Sequence, residues 1–88
     1  MPRVTIYTTV ACGYCYEAKQ LLRDKGVGFD EIRVTLRPAL RRAMSKKANG
    51  RTSVPQIFVG ERHVGGCDDL LALERHGELD RVLQSSQA

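Results

Sequence analysis

The sequence predicts an α/β fold with the element order β-α-β-α-β-β-α, in which helices flank a central four-stranded mixed sheet. Two patterns predict it: short segments that alternate polar with β-favouring apolar residues, and intervening segments with apolar residues at helical spacing. A strand, a helix and a second strand in succession form a crossover unit with parallel strands. Two closely spaced strands later in the chain add an antiparallel hairpin. We expect one domain spanning residues 1–88, without an internal repeat or linker.

The first half of the chain supplies the crossover unit. Polar and β-favouring residues alternate over Arg3–Thr9, which predicts the first strand. A short loop then leads into a helix over Gly13–Lys25, which has an apolar stripe and which Gly26 is suited to end. The alternation returns over Phe29–Thr35 and predicts the second strand.

The second helix is predicted over Ala39–Ala48, and Pro38 suits its first turn. Leu40, Ala43 and Met44 form one face, cations occupy the other, and an Asn-Gly pair ends the helix. The remaining predicted elements are two hairpin strands, a third helix and a short helical piece before a frayed tail: Gln56–Val59, Arg62–Val64, Asp68–Arg75, Glu78–Leu83 and Ser85–Ala88.

Composition limits the class of protein. Hydrophobic residues make up 42% and charged residues 27%, which is typical of a water-soluble domain with a modest core. No run approaches the roughly 18 apolar residues that cross a bilayer. The N-terminus, Met1-Pro2-Arg3-Val4, leads into a strand without a signal-peptide pattern, so we expect a cytoplasmic protein that binds no membrane. Three cysteines, an odd number, also favour a reducing compartment.

The formal net charge is +4, and most of the excess comes from six cations between Arg37 and Arg51. The ordinary interpretation is a solvated helix face, and the alternative is a patch that attracts anionic ligands. No aromatic platform or groove-reading motif accompanies the charge, so we expect no nucleic-acid partner.

The segment Cys12-Gly13-Tyr14-Cys15 places two thiols three positions apart at a predicted helix start. Unpaired backbone N–H groups and the positive end of the helix dipole favour thiolate there, and thiolate is the nucleophile of disulfide exchange. Cys12, nearest the helix end, is therefore predicted to attack, and Cys15, one turn inside, to resolve the mixed disulfide. Tyr14 is either a core residue or, as we favour, a partly exposed ring beside the sulfur that contacts a substrate.

Two other interpretations of the cysteine pair remain open. The thiols could be small buried core residues, or Cys12, Cys15, Cys67 and His63 could bind zinc. Zinc pairs usually lie on tight turns and their ligands must converge tetrahedrally. A pair that opens a helix within a β-α-β unit is instead typical of a redox site, so we expect no metal in the main interpretation.

Two further segments indicate what the thiols act on. In Ser53-Val54-Pro55, directly before a strand, Pro55 is suited to a cis peptide bond, although trans is the ordinary form. A turn there would leave the Val54 N–H and C=O free to pair with an extended peptide, unless Val54 is simply a core residue. The run Gly65–Asp69 allows close backbone approach and opens a helix, which predicts a carboxylate site.

Within that run, Asp68 would either cap the helix or pair with a ligand ammonium group, and Cys67 is either a buried filler or a third thiol near the site. The predicted substrate therefore has carboxylates, an ammonium group, a peptide backbone and a sulfur. Glutathione has all four.

From Val4 to about Leu83 the chain resembles the glutaredoxin family, in particular its small bacterial dithiol members. The resemblance rests on three motifs in order: Cys12–Cys15, Thr52–Phe58 and Gly65–Leu70. It implies a thioredoxin fold and a monomer that uses glutathione to reduce protein–glutathione mixed disulfides and protein disulfides. It also implies that Cys12 is the nucleophile, that Cys15 is the resolving cysteine, and that glutathione is contacted by Tyr14, Arg51, Ser53, Val54, Pro55, Gly66, Cys67 and Asp68.

The chain departs from the common family pattern at two positions. Gly13 stands where the family usually has proline, and small residues there are associated in the family with a glutathione-ligated [2Fe–2S] cluster that bridges two protomers. The alternative function is therefore a dimer that holds such a cluster through Cys12 for storage or transfer. Thr9 stands where relatives often carry a lysine that supports the thiolate, and Arg51 is a partial substitute.

Overall fold

The computed structural model describes residues 3–85 and contains the predicted mixed sheet. Its strands lie in the order β2-β1-β3-β4, with β2 parallel to β1 and the other neighbours antiparallel. The crossover and the hairpin are therefore confirmed. The strands are β1 (Val4–Thr8), β2 (Asp30–Arg33), β3 (Gln56–Val59) and β4 (Arg62–Gly65).

The helices also lie where the sequence predicts them, within about two residues at each end. They are α1 (Gly13–Asp24), α2 (Pro38–Lys47), α3 (Cys67–Arg75) and α4 (Leu79–Ser85). The predicted short helical piece is thus a true helix, while residues 86–88 of the predicted tail lie outside the described residues. Strand β2 is shorter than expected because the chain leaves the sheet at Val34, whose C=O accepts the Arg37 N–H at 3.0 Å to close a turn.

The main core lies on one face of the sheet, beneath α1, α3 and α4. Alternate side chains of β1 and β3 point into it and meet the apolar stripes of these three helices. Helix α4 contributes three of the buried side chains. The fully or nearly fully buried members are Val4, Ile6, Ala18, Leu22, Ile57, Val59, Cys67, Leu70, Leu79, Val82 and Leu83.

Helix α2 alone covers the other face, and it does so with fewer side chains than predicted. Met44 and Ala48 are fully buried against Tyr7 and Phe58, whose rings meet edge to face at 5.7 Å. Leu40, predicted on the same apolar face, is 37% exposed. The buried face of α2 is therefore narrower than its sequence pattern indicates. It consists of the single row of side chains that runs through residues 44 and 48.

No helix within residues 3–85 is long and apolar enough to cross a bilayer.

The turn between β2 and α2 contains a strained residue. Leu36 has a φ of +56°, in the left-handed region, and its side chain is 96% exposed. A side chain other than glycine costs about 1–2 kcal/mol in that conformation. Leu36 recovers none of this cost through packing.

Leu36→Gly is expected to raise the free energy of unfolding by about 0.5–1 kcal/mol, because glycine relieves the strain but adds entropy to the unfolded chain. Leu40→Gly is the matched control within α2 and is expected to lower it by about 1 kcal/mol. Denaturant titration followed by circular dichroism measures both changes. A loss of stability in Leu36→Gly would contradict the prediction.

Candidate active site

The loop between β1 and α1 places Cys12 at the start of the helix. Ala11 turns the chain with a φ of +55°, and Cys12 follows as the N-cap of α1 with extended backbone. The Cys12 Sγ accepts a hydrogen bond from the Cys15 N–H at 3.1 Å. A backbone donor aimed at sulfur stabilises its negative charge, and Cys12 is partly exposed. The environment of Cys12 is therefore that of an accessible nucleophile.

Cys15 is in the opposite environment. It is only 2% exposed, and burial, together with its hydrogen bond to Cys12, raises the pKa of the Cys15 thiol to about 12. The Thr9 backbone and the Lys19 ammonium act in the other direction but are outweighed. At neutral pH Cys15 is thus a shielded, protonated thiol, which fits the order of attack predicted from the sequence.

The two cations of α1 are held by neighbours. Lys19 Nζ lies 3.0 Å from Glu31 Oε2, which also accepts a hydrogen bond from the Thr8 hydroxyl at 2.7 Å. Burial alone would raise the pKa of Glu31, but these two donors outweigh it and the pKa is lowered. Arg23 instead lies over the Phe29 ring, 5.5 Å from its centre. The sequence did not indicate Glu31, which offsets much of the positive potential that Lys19 brings to the thiols.

All eight residues predicted to contact glutathione line a single cavity of about 220 Å³. Cys12 and Cys15 do not line it, but Tyr14 between them does, with 63% of its surface exposed. Cys12 is also close enough to Cys67 for its charge to help raise the pKa of the Cys67 thiol. The lining residues are Tyr14, Arg51, Ser53, Val54, Pro55, Gly66, Cys67 and Asp68.

One wall of the cavity is the segment before β3. The Val54–Pro55 bond is cis, as predicted. Within residues 3–85, no hydrogen bond engages the Val54 N–H or C=O, so both remain available to an extended ligand. The fully buried Gln56 supports this wall: its Nε2 donates to the Ser53 C=O at 3.1 Å, and its Oε1 lies 2.7 Å from His63 Nε2. No sequence pattern indicated this support.

The opposite wall is the start of α3, where the structure corrects one of the alternatives. Asp69, and not Asp68, caps the helix, since its carboxylate accepts the Gly66 N–H at 2.9 Å. The same oxygen lies 3.0 Å from Arg51 Nη1. The Gly66 bond above all lowers the pKa of Asp69, although burial opposes it and Arg51 assists. Asp69 therefore fixes Arg51 beside the cavity, a role that the sequence did not indicate.

The carboxylate of Asp68 is left free by this arrangement. Asp68 is exposed at the cavity rim, and among residues 3–85 no hydrogen bond or ion pair engages it. Gly65, with a φ of +118°, also lies too close to Asp69 and Arg51 to carry a side chain, because a Cβ there would overlap the Asp69 carboxylate. The cavity thus offers a cation on one side and a free carboxylate on the other.

Cys67 is 4% exposed, and burial above all, followed by Glu17 and Asp68, raises the pKa of its thiol. It combines both interpretations from the sequence, as a core residue that also touches the cavity.

Among the described residues, no group of three or more histidine, cysteine, aspartate or glutamate side chains could hold a metal ion. The four side chains considered for zinc therefore do not form a ligand set in this structure.

The paired thiols at a helix start, beside a mixed sheet of this order, define a thiol oxidoreductase of thioredoxin fold. The glutaredoxin family model matches residues 4–64, and the chain belongs to the glutaredoxin family. It is 59% identical to a glutaredoxin of Pseudomonas aeruginosa over 97% of this chain and 100% of that one. It is 50% identical to glutaredoxin 3 of Escherichia coli K12 over 96% of this chain and 100% of that one.

The chain is also similar to solved glutaredoxin structures. A glutaredoxin from Brucella melitensis matches it with a TM-score of 0.87 at 49% identity, and the match covers 100% of this chain and 95% of that one. A buckwheat glutaredoxin–glutathione complex has a TM-score of 0.84 at 28% identity, and the match covers 93% of this chain and 76% of that one. The holo form of glutaredoxin C1 from Populus tremula x tremuloides has a TM-score of 0.86 at 29% identity, covering 99% and 82%. The predicted thioredoxin fold is thereby confirmed.

The asymmetry of the thiols leads to a test. Near neutral pH, iodoacetamide is expected to alkylate Cys12 at least about 100-fold faster than Cys15 or Cys67, because only Cys12 combines exposure with a backbone donor at its sulfur. Timed quenching followed by peptide mass spectrometry gives the three rates. In concentrated guanidinium chloride the rates should converge. Equal labelling of Cys12 and Cys15 in the folded protein would contradict the prediction.

Proposed function

We propose that the protein is a glutathione-dependent thiol–disulfide oxidoreductase that reduces protein–glutathione mixed disulfides and protein disulfides. The observation that carries the proposal is the Cys12 sulfur, partly exposed and hydrogen-bonded by the Cys15 N–H, next to a cavity with unpaired backbone and charges of both signs. The buckwheat relative in complex with glutathione supports the choice of ligand.

In this proposal glutathione lies in the cavity as an added strand. Its peptide backbone pairs with the N–H and C=O of Val54. Its glycyl carboxylate lies at Arg51, since a guanidinium already oriented by Asp69 needs little ordering to bind an anion. Its ammonium group lies at Asp68, the free carboxylate on the rim. Tyr14 covers the sulfur from the exposed side, with Ser53, Pro55, Gly66 and Cys67 completing the walls.

The reaction with a mixed disulfide has two exchanges. The Cys12 thiolate attacks the glutathione sulfur, the disulfide bond between that sulfur and the substrate's cysteine sulfur breaks, and the protein leaves as a thiolate that takes up a proton. The thiolate of a second glutathione then attacks the Cys12–glutathione disulfide and releases oxidised glutathione. Cys12 leaves as a thiolate, so the enzyme returns to its starting state. One glutathione thiol is consumed, and the other half of the oxidised glutathione comes from the mixed disulfide.

With a protein disulfide, Cys15 takes part. Cys12 first forms a mixed disulfide with the substrate, and Cys15 then attacks Cys12 to release the reduced protein and close an intramolecular disulfide. Because burial holds the pKa of Cys15 near 12, this thiol must give up its proton as it attacks. The second exchange therefore needs an acceptor for the Cys15 proton, and the departing substrate thiolate takes up this proton. Glutathione reduces the closed disulfide.

The wider setting is part of the proposal. We infer that residues 1–88 function as one glutaredoxin domain, monomeric in this reaction. A reducing compartment such as the cytoplasm suits it, because three free thiols persist there.

A second function, the [2Fe–2S] cluster-bridged dimer, is favoured by the open space at Gly13. Among the described residues, a Cβ at Gly13 would meet no atom within 4 Å outside its own helix and neighbours, so a partner could approach closely. Cys12 would supply one thiolate from each protomer and two glutathiones the remaining ligands, a thiolate donor set that suits iron–sulfur clusters. The holo form of the Populus relative is consistent with this function.

Replacing each active-site cysteine separates the two exchanges. Cys12→Ser is expected to lower deglutathionylation to below about 0.1% of wild type, because the nucleophile is lost. Cys15→Ser should retain deglutathionylation but lose the reduction of protein disulfides. A glutathione-coupled assay on a glutathionylated protein and on a disulfide protein measures both. Deglutathionylation by Cys12→Ser at the wild-type rate would refute the proposal.

The cluster function predicts that wild-type protein reconstituted anaerobically with iron, sulfide and glutathione becomes a coloured dimer. Gly13→Pro is the matched variant, since proline suits the first position of α1 and there is room for its ring. It should fold normally but remain a colourless monomer. Visible absorption and gel filtration are the readouts. A wild-type protein that stays colourless and monomeric would exclude this function.

A further inference from the structure

A second groove, of about 450 Å³, lies along α2 next to the active-site cavity. We call it the α2 groove. The surface that lines it is mostly apolar although three of the lining residues are cations, because long cationic side chains have aliphatic stems. The lining residues are Pro38, Arg41, Arg42, Ser45, Lys46 and Thr52.

The α2 groove lies in the one strongly cationic part of the chain. The sequence has no aspartate or glutamate between Glu31 and Glu61, and six of its fourteen lysines and arginines fall within residues 37–51. The rest of the chain holds eight cations and all ten acids, so it is slightly acidic. The net charge of +4 is therefore a local property of this surface.

The cations around the α2 groove are not neutralised by the protein itself. Arg42 and Lys46 are exposed, and among residues 3–85 neither has an acidic partner; the same holds for Arg37 and Lys47. Lys19 and Arg51, by contrast, each form an ion pair with a carboxylate. A cluster of unpaired like charges raises the energy of the free protein and lowers the cost of binding an anion.

One extended segment joins the α2 groove to the active-site cavity. Arg51 and Ser53 line the cavity, while Thr52 between them lines the groove. Arg41 fixes this segment to α2, since its Nε donates to the Thr52 C=O at 3.0 Å. A polypeptide whose cysteine forms a disulfide with glutathione in the cavity would thus lie beside this segment, next to the groove.

We propose that the α2 groove binds an acidic segment of the protein substrate, next to its glutathionylated cysteine. This inference rests on the proposed function and adds the class of substrate. Carboxylates on the segment pair with Arg42 and Lys46, and its aliphatic atoms cover the floor of the groove. Nucleic acid fits less well, because no aromatic side chain lines the groove to stack on bases.

The effect acts mainly on the rate of association. Exposed charges at the rim of an interface steer the partner and change the association rate more than the lifetime of the complex. The effect is screened by salt, since the Debye length falls from about 10 Å at 0.1 M to about 3 Å at 1 M. Substrates with acidic residues near the cysteine should therefore show a higher kcat/KM that declines as salt is added.

The test uses two synthetic peptides that carry one glutathionylated cysteine and differ only in glutamate or glutamine at the flanking positions. At low ionic strength the wild type is expected to show a kcat/KM about tenfold higher for the glutamate peptide. Arg42→Gln with Lys46→Gln should reduce this preference to about twofold or less. Both side chains are exposed, and Arg41 is left intact because it supports the shared segment.

Arg62→Gln with Arg75→Gln is the matched control, as it removes the same charge from exposed positions outside the groove. It should keep at least about half of the tenfold preference. Thermal unfolding followed by circular dichroism establishes that both double variants are folded.

A third substrate separates this inference from the proposed function. The small mixed disulfide of glutathione and 2-mercaptoethanol has no segment to reach the groove, so wild type and both variants should reduce it equally. If the wild type reduces it but treats the two peptides alike, the acidic-segment proposal is wrong while the proposed function stands. If the wild type does not reduce it, the proposed function itself fails. Competition with an oligonucleotide tests the choice of occupant. If an oligonucleotide displaces bound glutamate peptide at a lower concentration than added glutamate peptide needs, the acidic-segment proposal is wrong.

Discussion

The start of α1 at Cys12 is the constraint on which the reactive end of the molecule depends. The Cys12 sulfur accepts a hydrogen bond from the Cys15 N–H. This one hydrogen bond caps the start of the helix where the loop ends, and its acceptor is the reactive atom. Ala11 holds its left-handed backbone because β1 and α1 fix the chain on both sides. The chemistry of the thiol is therefore coupled to the folding of the β1–α1 unit, and a change that loosens this junction alters stability and reactivity together.

Around the cavity, several polar side chains form hydrogen bonds or ion pairs with one another and with the backbone. Gln56 connects Ser53 to His63 beneath one wall, and Asp69 connects Gly66 to Arg51 in the other. Buried polar groups are costly unless they are paired, so these contacts leave each wall few alternative conformations. What they leave unpaired is the backbone of the ligand-facing turn and the Asp68 carboxylate. The cavity is thus preorganised, with binding groups exposed and supporting groups already satisfied.

The sequence predicted most of the fold, and the eight residues that it predicted to contact glutathione line one cavity. Element order follows from local periodicity, and Cys12, Tyr14 and Val54 lie in short motifs whose spacing implies their geometry. The supporting residues were missed because they act through contacts distant in sequence. Glu31 meets Lys19 across the sheet edge, and Asp69 was overlooked because its neighbour has the same side chain at an adjacent position of the helix start. Periodicity also overstated the buried face of α2, since it does not show how much of the sheet a helix covers.

The position of α2 by itself on one face of the sheet has an electrical consequence. Together, α1, α3 and α4 carry six acidic and four basic residues, whereas α2 carries four basic residues and no acidic one. The sheet therefore separates a negative layer from a positive one, and the molecule has a permanent dipole directed across it. An approaching anionic partner exerts a torque on this dipole before contact and turns the α2 side toward itself. Thr52 lines the α2 groove while Arg51 and Ser53 line the active-site cavity, so the positive side borders that cavity.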